Sequence, residues 1–246
     1  MALDVHMLEK FYDSRVGQVA RRLIFRRIRG AWSDLRGQRV LGFGYATPYM
    51  RPMLDEAERV IAAMPEGLGA LPWGAGGRSL ATLVDELALP FADAFFDCVL
   101  VIHGLEAAEA QRPFLRELWR ILTPAGRLMV VAPNRASLWA QLETSPFGHG
   151  QPYSRGQLER LLEQALFRPE RWESALFMPP LGRRPSLRAG RAWERVGHTA
   201  WPRLAGVHIV EATKSLYAPG LAVKARRRVL RPAIAYGVKR DPLPTE

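Results

Sequence analysis

The chain of 246 residues is long enough for one large α/β domain with extensions. Hydrophobic residues make up 48% of it and charged residues 24%, as in ordinary globular proteins. No stretch approaches the roughly 20 consecutive apolar residues of a transmembrane helix, so we predict no membrane-spanning segment. The single cysteine, Cys98, has no partner for an internal disulfide. This favours a reducing compartment, and we therefore expect a cytoplasmic location.

The net charge of +11 is unevenly distributed along the chain. Residues 1–39, 168–203 and 221–246 each carry a net charge of +5, whereas residues 40–167 carry −4. Cationic segments attract nucleic acids, acidic proteins and membrane surfaces, so one hypothesis is that they meet an anionic partner. The other interpretation is an arginine-rich, solvated surface that has no partner.

An amphipathic helix is predicted at residues 4–32, within an N-terminal segment that we delimit as 1–36. Apolar residues recur there at three- and four-residue steps, and arginines share the opposite side. The apolar stripe consists of Leu8, Tyr12, Val16, Val19, Leu23 and Ala31, and the arginines are Arg15, Arg22, Arg26 and Arg29. Helices of this kind can lie on membranes, but the apolar stripe has the size expected for packing against a protein surface. We expect the helix to pack on the domain that follows.

Strands and helices alternate through the main domain, which we place at residues 37–220. Apolar runs predict strands at 40–44, 59–63, 79–84, 98–102, 127–133, 167–180 and 206–217. Helices are predicted to begin at Pro48 and to cover 114–122 and 136–142, and one from Arg155 to Ala165 has Ser154 as its N-cap. The strand–helix–strand unit from 97 to 133 indicates a right-handed crossover in a parallel sheet. A basic insert at 181–203, with Trp193 and Trp201, predicts a helical excursion, and 221–246 is a basic tail.

The most specific pattern lies between Asp85 and Asn134. Its elements, in order, are Asp85, Leu89-Pro90-Phe91, Phe96-Asp97, Leu105-Glu106, Arg116-Glu117, Arg120-Ile-Leu and Thr123-Pro-Ala-Gly126. This order and spacing resemble the class I S-adenosyl-L-methionine-dependent methyltransferases, particularly the "type 11" group. The resemblance covers about residues 38 to 217. It implies a Rossmann-like α/β fold with helices on both faces of a seven-stranded sheet, an antiparallel final strand pair, and S-adenosyl-L-methionine as cofactor.

The resemblance also implies which residues bind the cofactor. Asp85 would face the adenine amine, and the backbone amide of Glu86 would meet a ring nitrogen. The remaining candidates are Leu87, the turn residues Gly42, Gly44, Tyr45 and Ala46, and His103. Two family features are missing here. An acid is replaced by Gly42 in the first turn, where later glycines are replaced by Ala46 and Pro48, and the second strand ends at Ala63 or Met64 without the ribose-binding acid.

Three residues are candidates for catalysis. His103 follows the fourth strand, His149 lies between two glycines in the loop 144–152, and Tyr153 follows that loop. The alternative is a structural role for each histidine, as a polar group at a strand end for His103 and as an exposed loop residue for His149. No Cys/His spacing predicts a metal site. We predict an S-adenosyl-L-methionine-dependent methyltransferase of unknown acceptor. The alternative is a non-catalytic binding or scaffold subunit of the same fold with a weakened cofactor site.

Overall fold

A seven-stranded mixed sheet forms the centre of the computed structural model, which describes residues 3–75, 78–180 and 187–215. Its strands are β1 Arg39–Gly44, β2 Arg59–Pro65, β3 Ala81–Val84, β4 Phe96–Ile102, β5 Leu122–Pro133, β6 Phe167–Ala175 and β7 Val207–Lys214. Their spatial order is β3-β2-β1-β4-β5-β7-β6. The first five strands are parallel, and β7 runs antiparallel to both β5 and β6. The predicted α/β fold class is confirmed.

Helices cover both faces of this sheet. They are α1 Val5–Asp13, α2 Arg15–Ala31, α3 Thr47–Met50, α4 Gln111–Ile121, α5 Leu138–Gln141, α6 Arg155–Gln164 and α7 Leu187–Ala200. Short 3-10 turns occupy Arg51–Met53, Pro146–Gly148 and Pro202–Leu204, and Gly74–Ala75 pairs with Arg78–Ser79 in a small hairpin. None of the helices that the structure describes is both long and apolar enough to span a bilayer.

The core consists of two layers, one on each face of the sheet. Val40 and Leu100 belong to the layer formed with α1, α2 and α3, whereas Leu41 and Val99 belong to the layer formed with α4 and α6. Adjacent strand residues enter different layers because successive side chains of a strand point to opposite faces. Buried on both faces, these strands are continuous apolar runs, which is why the sequence predicts them well.

The prediction of one helix over residues 4–32 is wrong, because the segment forms two helices that meet at Ser14. Ser14 has extended backbone angles, and its hydroxyl accepts a hydrogen bond from the amide of Gly17, so it is the N-cap of α2. Asp4 caps α1 in the same way through the amide of His6. The apolar stripe continues across the break through Tyr12 and Val19, so periodicity alone conceals it.

Other boundaries differ by a few residues. Pro48 lies in the first turn of α3, as expected, but that helix ends after four residues. Residues 123–126, which separate the predicted helix 114–122 from the predicted strand 127–133, lie within β5, where the pairing with β4 shifts. The helical excursion in the basic insert is present as α7, whereas residues 181–186 of the insert and the tail 221–246 lie outside the described residues.

Candidate functional site

A cleft of about 550 Å³ opens at the carboxyl ends of β2, β3 and β4. Ligands of open α/β sheets bind at this edge, beyond the ends of the parallel strands. Every charged residue that lines the cleft is acidic, although the chain carries a net charge of +11. These residues are Glu66, Asp85, Glu86, Glu106 and Glu109. We call this the acidic cleft, and its charge favours a cationic ligand.

The turn after β3 brings the predicted adenine contacts to the acidic cleft. Asp85, Glu86 and Leu87 all line it. Asp85 Oδ1 accepts a hydrogen bond of 2.8 Å from the amide of Leu87, so this carboxylate also shapes its own turn. Glu86 Oε1 accepts a 3.0 Å hydrogen bond from the amide of Glu109 and thereby joins the turns that follow β3 and β4. Burial raises the pKa of Glu86.

Charged residues of the Asp85–Asn134 segment contact one another in the structure. Arg120 on α4 donates hydrogen bonds of 2.8 Å to the carbonyls of both Leu89 and Phe91, and one of 2.7 Å to Asp93. Glu117 accepts a hydrogen bond from the amide of Leu89 and pairs with Arg120. The charged residues of the helix therefore fix the loop that follows Asp85.

The turn after β1 is closed by neighbouring side chains. Gly44 has φ +78, and a side chain there would collide with the carbonyl of Ile102, so this glycine is required by the close approach of β4. The space beside Gly42 is filled by the thioether of Met50. Tyr45 and Ala46 are buried, and the ring of Tyr12 from α1 stacks on Tyr45 at a centroid distance of 5.7 Å.

A buried chain of hydrogen bonds links α1 to the acidic cleft. The hydroxyl of Tyr49 donates to Tyr12 at 3.0 Å, and the Tyr12 hydroxyl lies 2.8 Å from His103 Nε2. His103 Nδ1 lies 3.1 Å from Glu106 Oε1. Because Tyr12 already accepts from Tyr49, we assign its proton to the bond with Nε2, which leaves Nδ1–H to donate to the carboxylate. Burial raises the pKa of Tyr12 well above its usual value and keeps it a neutral donor.

The second oxygen of Glu106 is the atom that most clearly indicates a ligand. Oε2 is buried and has no hydrogen-bond partner among the described residues, and Glu106 is only 3% exposed. A buried carboxylate oxygen without a donor is costly, so native structures rarely leave one unpaired. Glu106 lines the acidic cleft but Oε2 itself is enclosed, so a ligand with a hydroxyl or ammonium group can supply the missing donor only when the groups that enclose Oε2 move aside.

The three catalytic candidates occupy different surroundings. His103 is fully buried with φ +54, and both of its ring nitrogens are engaged as described. Tyr153 is buried and donates to the carbonyl of Leu105 at 3.2 Å, and burial raises the pKa of its hydroxyl. His149 Nε2 lies 2.8 Å from the carbonyl of Glu143 in its own loop. No hydrogen bond joins any two of the three.

The loop that carries His149 nevertheless packs on the turn after β4. The ring of Phe147 lies 4.9 Å from that of His103, and the amide of Gln151 donates to the carbonyl of Glu106 at 2.9 Å. Gly150 lines the acidic cleft. The sequence analysis assigned Tyr12 only to the apolar stripe of the N-terminal helix. Its contact with His103 joins residues 91 positions apart, so no local sequence pattern predicts this contact.

Comparisons with known proteins agree with this architecture. The family model described as "Methyltransferase domain" matches residues 73–130. The ubiquinone/menaquinone biosynthesis C-methyltransferase UbiE of Yersinia pestis biovar Antiqua is 31% identical over 107 residues, which are 39% of this chain and 43% of that protein. The chain thus spans less than half the length of the curated relatives that it matches.

Two solved structures share the fold. One is an S-adenosylmethionine-dependent methyltransferase of Thermotoga maritima, with a TM-score of 0.57 and 17% identity over 86% of this chain and 96% of that one. The other is the 1,6-didemethyltoxoflavin-N1-methyltransferase of Burkholderia thailandensis, which holds S-adenosylhomocysteine. Its TM-score is 0.51, with 16% identity over 82% of this chain and 79% of that one.

Proposed function

We propose that this chain, whose residues 73–130 match the methyltransferase family model, is a class I S-adenosyl-L-methionine-dependent methyltransferase that binds this cofactor in the acidic cleft and transfers its methyl group to an acceptor. The observation that carries the proposal is Oε2 of Glu106, which finds no donor in the part of the chain that the structure describes and belongs to a cleft whose described charged residues are all acidic. The cofactor has a sulfonium and an ammonium but one carboxylate, so its net charge is positive and complements the cleft.

The cleft fits the nucleoside end of the cofactor. Asp85 and the backbone amide of Glu86 would hold adenine against Leu87, as the family resemblance implies. Glu106 Oε2 would accept a hydrogen bond from a ribose hydroxyl. Glu66 follows β2 and lines the same cleft, and it is the acid nearest in sequence to the position of the missing ribose carboxylate.

The methionine end requires a rearrangement of α1. The turn Gly44–Ala46 is buried beneath Tyr12, and Gly42 is covered by Met50, so this arrangement leaves no room there. We propose that α1 lifts when the cofactor binds. The hydrogen-bond chain from Tyr12 through His103 to Glu106 would then couple occupancy of the cleft to the position of α1.

The residues of this chain contribute chiefly alignment. S-adenosyl-L-methionine supplies an electrophilic methyl group, and transfer needs a nucleophile held in line with it and shielded from water. His103 is a positioning residue for Glu106, because it is enclosed and reaches no acceptor. Tyr153 and His149 remain proposals for the acceptor side. The name of the Yersinia relative makes a precursor of ubiquinone or menaquinone the first acceptor class to test.

One observation favours the alternative of a non-catalytic scaffold. Met50 and Tyr12 occupy the positions beside the first turn, and Ala63 or Met64 stands where the family has its ribose acid. A protein that retained the fold but not the cofactor would tolerate such packing. Titration calorimetry with S-adenosylmethionine and S-adenosylhomocysteine separates the two functions, because a scaffold would give no heat with either ligand.

Replacing Glu106 with glutamine is expected to weaken binding of both ligands by about 10- to 100-fold. A hydrogen bond to a charged acceptor contributes about 1.5–3 kcal/mol, and the amide that replaces Oε2 donates instead of accepting. The amide oxygen can still accept from His103 Nδ1, so the fold should be retained. Calorimetric titration of the wild-type and variant proteins measures the difference.

The matched control is Glu163→Gln, which removes the same charge from an exposed position of α6. This variant should bind both ligands as the wild type does. Equal affinities for wild type and Glu106→Gln, with heat in both titrations, would contradict the role of Glu106 while leaving cofactor binding intact.

A further inference from the structure

The outward side of α7 carries large apolar side chains beside arginines. Trp193 is 41% exposed and Val196 is 54% exposed, and Leu204 in the following 3-10 turn is 54% exposed. Arg188, Arg191 and Arg195 are also exposed, and none of them forms an ion pair within the described residues. We call these six residues the α7 surface. We propose that the α7 surface docks on an anionic lipid bilayer.

Helical spacing separates the two kinds of residue into adjacent stripes. Ala189, Trp193, Val196 and Ala200 follow one another at steps of four, three and four, so they share one side of α7. The arginines at 188, 191 and 195 share a second side. An exposed apolar stripe flanked by arginine is the pattern of helices that lie in the plane of a membrane interface.

The opposite side of α7 is already used for packing. Gly190 and Gly197 are buried, and side chains at these positions would press on Val19 and Phe177. Glu194 lies between them and accepts a hydrogen bond from the amide of Phe177 at 2.9 Å. Gly190 thus brings α7 close to α2 and Gly197 brings it close to Phe177, whereas Trp193 and Val196 are exposed. This is the reverse of the usual orientation of an amphipathic helix on its own domain.

The chemistry of the α7 surface favours lipid over other occupants. The indole rings of Trp193 and Trp201 lie 5.9 Å apart, and indoles partition to the boundary between headgroups and acyl chains. Arginines near the plane of that boundary reach anionic headgroups through their long stems. Residues 221–246 carry a net charge of +5, the same sign as the arginines, which disfavours this segment as the occupant. An apolar stripe is likewise unsuited to the phosphate backbone of a nucleic acid.

The test is co-sedimentation of the full chain with vesicles of phosphatidylcholine, alone or mixed with phosphatidylglycerol. We expect binding to the mixed vesicles that weakens as salt is added. The double variant Trp193→Ala, Val196→Ser should lower partitioning by about tenfold, because it removes apolar area that would leave water. The triple variant Arg188→Gln, Arg191→Gln, Arg195→Gln should lower it by about fivefold per arginine, and only on anionic vesicles.

Leu83→Ser is the matched control. Leu83 is 49% exposed on β3, at the sheet edge opposite β6, so its loss should leave partitioning unchanged. All altered side chains are exposed, so we expect each variant to keep the fold. Urea unfolding of each variant checks this. Equal partitioning of wild type and both α7 variants would overturn the proposal. Self-association that the double variant abolishes, without vesicle binding, would also overturn it and assign the surface to a second copy of the chain.

Discussion

Replacing Tyr12 with alanine is expected to lower the free energy of unfolding by about 3–5 kcal/mol, the range for truncating a buried aromatic side chain. The Tyr12 ring contacts Tyr45 and Tyr49 at centroid distances of 5.7 and 5.8 Å, and its hydroxyl joins two buried hydrogen bonds. All of these contacts end with the removal of the ring. Urea denaturation followed by circular dichroism measures the change.

The same substitution should strengthen cofactor binding by about tenfold or more. If α1 must lift before the methionine end enters, the apparent affinity equals the intrinsic affinity multiplied by the open fraction. Loss of the Tyr12 ring increases that fraction. A weaker affinity in Tyr12→Ala would contradict the lifting of α1 and would place Tyr12 in the bound site instead.

Tyr12→Phe separates the ring from the hydroxyl. It retains the stacking on Tyr45 but leaves His103 Nε2 without its partner, so the expected loss of stability is about 1–3 kcal/mol. A loss as large as that of the alanine variant would mean that the hydrogen bonds, and not the aromatic packing, hold α1 in place.

Acidification is expected to destabilise the protein through His208, by roughly 2–3 kcal/mol between pH 6.5 and pH 4. Burial, reinforced by the positive charge of Arg155, lowers the pKa of His208 to about 4. The unfolded chain has the ordinary pKa of about 6.5, so it binds the proton first as the pH falls. The contribution of neutral His208 to the free energy of unfolding is therefore fully present above about pH 6.5, and it is lost as the pH falls through about 4.

The measurement is the urea unfolding free energy of wild type and His208→Phe at several pH values from 7 to 4. The phenylalanine keeps a ring against Trp172, which lies 6.3 Å from His208, but it cannot titrate. The variant should lose less stability than the wild type on acidification. His6→Gln is the control, because it removes a histidine from an exposed position of α1 instead of a buried one. Parallel curves for wild type and His208→Phe would contradict the assignment.

Apolar patterning, which predicted the strands, is also the reason why one continuous helix was wrongly predicted over residues 4–32. β4 and β5 are covered on both faces, so their residues form apolar runs that the sequence displays directly. The cap at Ser154 is equally local, and the predicted helix begins where α6 does. Ser14 carries the same cap signal, but the apolar stripe continues through it and outweighed the cap. Periodicity reports which side of a segment is buried, not whether the backbone is continuous.

The candidate site likewise has features that the local sequence predicts and features that it does not predict. The position of Asp85 to Leu87, the proposed adenine contacts, at the edge of the acidic cleft is predictable because these residues follow a recognisable strand and precede a recognisable loop. The hydrogen bond from Arg120 to Leu89 crosses 31 positions of the chain, yet both residues belong to one ordered sequence pattern. The role of Glu106 as an unpaired carboxylate is not predictable, because it depends on which atoms enclose Oε2.

By itself, the sequence determined the strand–helix alternation, the α/β class and the turn that lines one side of the acidic cleft. These features depend on caps, turns and apolar runs within a few residues of one another. The tertiary structure alone decided that Tyr12 covers the first turn, that five carboxylates meet in one cleft, and that the tryptophan on α7 points outward. The physical reason is that these features arise where separate segments pack together, and packing between distant segments leaves no periodic signal in either.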